Sequence, residues 1–217
     1  MATASAPNDA FVISYLGLRK AIGIIGTLLP FVLAFGKILL ESPGIQPSIS
    51  AYYYTLMRDV FVGSLCAIAV FLMSYRGHER QDDLAGDLAC AFALGVALFP
   101  TAPELDPTAQ QEIISAVHHV SAAGFFLTLA FFSLVLFRKT DPRFTPTPRK
   151  LQRNVVYTIC GYTILACIGL IALLALMQDT APLKRLDPVF WLEAAAVVAF
   201  GISWLTKGEA ILKDVAT

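Results

Sequence analysis

Six runs of apolar residues, separated by short polar stretches, follow one another along the 217-residue chain; they cover 21–40, 60–75, 84–101, 113–137, 155–177 and 189–205. A bilayer core of about 30 Å takes about 20 residues of helix, with a range of about 17–25. The second and sixth runs are short, which places their polar ends among the lipid headgroups. Backbone groups surrounded by lipid find no water, so each run must close its own hydrogen bonds as a helix, not as a strand. The expected fold class is therefore all-α, a polytopic transmembrane bundle of about six helices in a single domain over 1–217. Helix-breaking residues punctuate the pattern at Ser42-Pro43-Gly44, Pro100, Pro103, Pro107, the stretch 142–148 and Pro182. Asp106-Pro107 and Asp187-Pro188 read as helix starts, a capping carboxylate followed by proline at the first position.

Composition agrees: 57 % of residues are hydrophobic, 15 % are charged, and the mean hydropathy is +0.68. With a formal charge of zero and no basic stripe, a nucleic-acid partner is not expected. Lys and Arg cluster at the ends of the apolar runs, and their distribution sets the orientation. With the N-terminus inside, Arg19, Lys20, Arg76, Arg80, Arg138, Lys139, Arg143, Arg149, Lys150, Arg153, Lys207 and Lys213 face the cytoplasm, twelve of sixteen basic residues. Lys37, Arg58, Lys184 and Arg185 face out. Both termini are expected in the cytoplasm, in a plasma or inner membrane, and association between copies of the chain is left open. The first ten residues read as a tail without signal-peptide features. Cys66, Cys90, Cys160 and Cys167 all lie inside apolar runs and read as small packing residues. Gly23, Gly26, Ala85, Gly86, Ala122, Ala123 and Gly161 are the residues expected at close helix contacts.

Ionisable residues within membrane segments are costly, so each marks a candidate site. His118 and His119 fall about two turns from the outer end of the fourth helix, Glu193 a little over one turn into the sixth, and Arg58 and Asp59 at the outer start of the second. Asp87 belongs to the inner end of the third helix, where Arg76 or Arg80 would pair with it. The loop 41–59 holds Ser48, Ser50 and the run Tyr52-Tyr53-Tyr54. It suits an interfacial aromatic belt, or a headgroup-binding lid with hydroxyl donors and Arg58 as a phosphate clamp. The candidate binding residues are thus Ser48, Ser50, Tyr53, Arg58, Asp59, His118, His119 and Glu193. His118, Glu193 and Asp59 are also of ligand types that suit zinc with an open water position. Ser48 or Ser50 with His118 and Asp59 would form a nucleophile, base and orienter, although no GxSxG elbow occurs. The simpler reading has His118 and Glu193 hydrogen-bonded to each other or to nearby hydroxyls, holding helices together.

Three pieces of the chain carry a resemblance: Pro47-Ser48-Ile49-Ser50 followed by aromatic residues and Arg58; His118 or His119 followed by Ala122-Ala123 and Phe125-Phe126; and Trp191, Glu193, Phe200, Thr206 and Glu209. In this order they resemble the six-helix membrane family of damage-regulated autophagy modulators and its GPI-anchor-remodelling relatives. The resemblance implies a six-helix bundle with inside termini and a role connected with membrane lipids, and no known reaction. The expectation is therefore a lipid-associated binding or accessory protein acting through an outer-leaflet polar pocket. The alternatives are an intramembrane metal-dependent hydrolase acting on a lipid, and a small channel or transporter.

Overall fold

A computed structural model describes residues 15–77, 79–103, 105–140, 143, 145–177 and 186–213. The expectations for the N-terminal tail, Pro142, Pro182, Lys184 and Arg185 lie outside them. The described residues form six long helices and no strand: α1 (Tyr15–Leu40), α2 (Arg58–Met73), α3 (Arg80–Leu98), α4 (Ala109–Phe131), α5 (Pro148–Leu176) and α6 (Pro188–Lys207). A short 3-10 turn, Ser50–Tyr54, lies in the first connection. A π turn, Phe132–Leu136, continues α4.

Every expected run is a helix, and the boundaries shift where polar residues carry the helix onward. The first helix begins at Tyr15, six residues before 21, because Arg19 and Lys20 are compatible with helical backbone. The fifth begins at Pro148, where Thr147 accepts the Lys150 amide at 3.1 Å and proline fills the first position. Asp106 does not start α4: Thr108 does, through a reciprocal pair in which the Gln111 amide donates to Thr108 Oγ1 (3.3 Å) and the Thr108 amide to Gln111 Oε1 (2.8 Å). Asp187 does precede α6, with Pro188 next, yet its carboxylate makes no capping bond.

Four helices, α1, α4 with its π turn, α5 and α6, are long and apolar enough to cross a membrane. The sixth run is not short after all, since its helix has 20 residues. At 16 residues α2 spans about 24 Å, less than a bilayer core. Asp82, Asp83 and Asp87 make the first half of α3 polar.

The helices pack in chain order, each on its neighbour, and α6 closes the ring on α1. That closure is tight. A Cβ on Gly23 would lie 2.7 Å from the Leu205 amide nitrogen, and one on Gly201 would lie 2.8 Å from the Gly23 carbonyl. Gly86 likewise allows α3 onto the last turn of α2, where a Cβ would meet the Leu72 carbonyl at 2.7 Å. The core centres on Trp204, fully buried among Tyr75, Phe132, Phe137 and Phe200. All four cysteines are free thiols, three of them buried. Contacts between connections sort into two ends. Tyr54 reaches the Thr101 carbonyl at one end. At the other, Tyr15 donates to the Arg76 carbonyl and Arg76 pairs with Asp87 at 3.2 Å. We name these the cap end and the terminal end; α1 starts and α6 finishes at the latter.

Candidate functional site

The connection between α1 and α2, residues 41–57, folds into a cap. Lys37, buried in the last turn of α1, donates to the carbonyls of Pro43 (3.3 Å) and Gly44 (3.1 Å). Gly44 has φ +94°, a left-handed conformation that glycine adopts without strain. The Leu56 amide donates to Glu41 Oε2 at 3.0 Å, closing the base of the cap. At the opposite side the Phe190 amide donates to the Pro47 carbonyl, and Tyr52 packs against the Phe190 ring. Tyr52 is completely buried, and that burial pushes its phenol above the ordinary tyrosine range.

Glu193 fastens the cap to α6. Its Oε2 accepts the Ile49 amide at 2.6 Å, and the Ser50 amide also hydrogen-bonds this carboxyl. His118 is buried, with Nδ1 2.6 Å from the Phe99 carbonyl just past the end of α3. A helix leaves its last carbonyls without partners, so an imidazole N–H there satisfies one of them. The expected bond between His118 and Glu193 is not formed; each takes a main-chain partner instead.

Ser50, His118 and Glu193 nevertheless line one cavity of about 50 Å³, whose other walls are apolar and include Phe61, Phe125 and Phe200. The space accommodates about a water molecule or two, not a lipid headgroup. The other candidates do not line it, although Ser48 Oγ stands 3.4 Å from Ser50 Oγ. Ser48 accepts the Ala51 amide at 3.1 Å and shapes the turn leading to Tyr52. His119 is exposed and bonds its own helix at the Ser115 carbonyl, since adjacent helical residues diverge by about 100°. Asp59 is exposed at the start of α2. Among the described residues no three His, Cys, Asp or Glu side chains gather in a way that could hold a metal ion.

Tyr53 and Arg58 form a unit on the outside of the cap. The guanidinium lies 4.3 Å from the Tyr53 ring centroid and donates to its hydroxyl at 2.6 Å. Exposed Tyr54 and Leu56 share the open cleft they face. The polar residues near the cap thus separate into a buried set, Ser50, His118 and Glu193, and a rim set, Tyr53 and Arg58.

A larger pocket, about 480 Å³, opens at the terminal end between Arg19, Tyr75, Glu79, Asp82, Lys139 and Lys207. None of these was singled out in the sequence, where the basic members served only to orient the chain. One signal was available: Glu79 and Asp82 belong to an acidic cluster at the start of α3, close in sequence to Arg76 and Arg80. No family model, curated protein or solved structure matches this chain.

Proposed function

We propose that this is an integral membrane protein with both termini in the cytoplasm and a non-catalytic, lipid-associated accessory role at its cap end. Four helices of spanning length support membrane insertion, as does the apolar surface that α1 and α5 expose through Phe35, Leu39, Ile159 and Leu173. Of the described Lys and Arg residues, twelve sit toward the terminal end, against Lys37 and Arg58 toward the cap. That imbalance favours a cytoplasmic terminal end, in a plasma or inner membrane.

The observation that carries the lipid reading is the rim pair. Arg58 held on Tyr53, beside exposed Tyr54 and Leu56, combines a cation for a phosphate with aromatic and apolar groups for the interface. The resemblance to the autophagy-modulator family points to lipids as well. His118 and Glu193 support an architectural role, because each binds main chain. The test is phospholipid content by mass spectrometry after purification in mild detergent: Arg58→Ala should retain less bound phospholipid per chain. Equal content in the variant and the parent would end this reading.

A metal-dependent hydrolase is the second reading, favoured by the shared cavity of Ser50, His118 and Glu193. It requires about one zinc per chain, lost in both His118→Ala and Glu193→Ala; elemental analysis of the purified protein decides it.

A further inference from the structure

We infer that the terminal-end pocket is a binding site for a phosphate group, carried either by a phospholipid headgroup or by a free phosphate compound. Its carboxylates are already engaged. Lys139 Nζ lies 2.9 Å from Glu79 Oε2 and 3.9 Å from Asp82 Oδ1, and Asp82 Oδ2 accepts the Glu79 amide at 3.1 Å. The other two cations of the pocket are left over: among the described residues neither Arg19 nor Lys207 forms an ion pair. Lys207 Nζ stands 5.3 Å from the Phe137 ring centroid. Arg19 stacks over Tyr15 at 4.2 Å, reaches the Lys207 carbonyl through Nη1 at 3.4 Å, and keeps a buried Nε with no partner.

Two like charges held at one wall of a pocket repel each other, and a buried donor without an acceptor is costly. An anion with several oxygens relieves both. A phosphate matches the planar donor fork of arginine and pairs equally with an ammonium as a point charge. The volume of about 480 Å³ falls within the range that encloses a small ligand. The rings of Tyr75 and Phe137, backed by Trp204, give these cations a rigid floor. Both charges come from helices that the α1–α6 contact fixes against each other, so the wall is formed before any ligand arrives.

The experiment is calorimetric titration of the full chain in mild detergent with two probes, inorganic phosphate and dioctanoyl phosphatidic acid. Parent protein is compared with Arg19→Gln, Lys207→Gln and Lys207→Arg. Saturable binding of at least one probe is expected, weakened roughly 10- to 100-fold in either glutamine variant and much less in Lys207→Arg. If only the lipid binds, the source is a headgroup; if inorganic phosphate binds as well, free phosphate compounds qualify. Should a glutamine variant fail to fold, Lys207→Arg and the salt dependence of the parent remain, since a charge-driven site must weaken as salt rises. The proposal is overturned if neither probe saturates, if the glutamine variants bind as the parent does, or if binding is indifferent to salt.

Discussion

Removing the Glu193 carboxylate should loosen the cap while leaving the bundle assembled. The carboxyl receives the Ile49 amide at 2.6 Å and the Ser50 amide beside it, and Glu193→Ala leaves both donors without an acceptor in a site with little room for water. A hydrogen bond to a charged group contributes about 1.5–3 kcal/mol. The two share one acceptor and do not add fully, so we take about 2 kcal/mol for the pair. At about 1.4 kcal/mol per tenfold, cap opening becomes roughly 30-fold more frequent. Glu193→Gln keeps an acceptor oxygen without the charge and should lose about half of that free energy. Hydrogen–deuterium exchange by mass spectrometry reads the effect directly, in peptides covering 47–52, with peptides from α5 as the internal reference. Lys37 still holds Pro43 and Gly44 in the variant, so the change should be confined to the far side of the cap. Unchanged exchange over 47–52 in Glu193→Ala would show that packing of Tyr52, not the carboxylate, keeps the cap closed.

The tight α1–α6 contact at Gly201 and the open surface at Gly63 on α2 predict opposite outcomes for substitution by alanine. Gly201→Ala forces a Cβ to 2.5 Å from the Thr27 amide nitrogen and should cost about 1–3 kcal/mol, whereas Gly63→Ala meets nothing and should be neutral or gain up to about 1 kcal/mol. Thermal unfolding in detergent checks both, and a Gly201→Ala melting point at or above the parent's would refute the tight-contact account. Trp204→Ala empties the fully buried centre of the aromatic cluster and should cost about 3–5 kcal/mol. A loss below about 1 kcal/mol in the same melts would mean that the cluster collapses around the gap.

The number and order of the helices could be read from sequence because lipid demands long apolar runs and little else satisfies them. Where helices began was less legible. Arg19, Lys20 and the polar turn after Pro148 belong to helices, and hydropathy responds to side-chain polarity, not to backbone conformation. Depth arithmetic put His118 and Glu193 at one level with Arg58, yet it could not tell that the first two line a cavity with Ser50 while Arg58 stands at the rim. Whether a residue faces the interior or the rim depends on how each helix is rotated, and a hydrophobic helix in lipid is apolar all round. Their partners were out of reach for the same reason, since Phe99 and Ile49 contribute main-chain atoms that residue types do not reveal. The terminal pocket stayed hidden because its walls come from both ends of the chain, and its cations are indistinguishable, one by one, from ordinary topogenic charges.

The π turn of α4 acts as a phase adjuster between two parts of the molecule. The Phe137 amide reaches back five residues to the Phe132 carbonyl at 2.8 Å, admitting one residue more than an α-turn holds. Upstream, the Phe125 ring packs against Phe200 with centroids 6.3 Å apart inside the bundle; downstream, past the end of the helix, Lys139 meets Glu79 at the pocket. One residue corresponds to about 100° of helical rotation. The inserted position therefore rotates the point at which the chain leaves the helix without moving the buried seam, and so sets the direction in which Lys139 departs toward Glu79. A chain that evened this turn out would have to choose between the two.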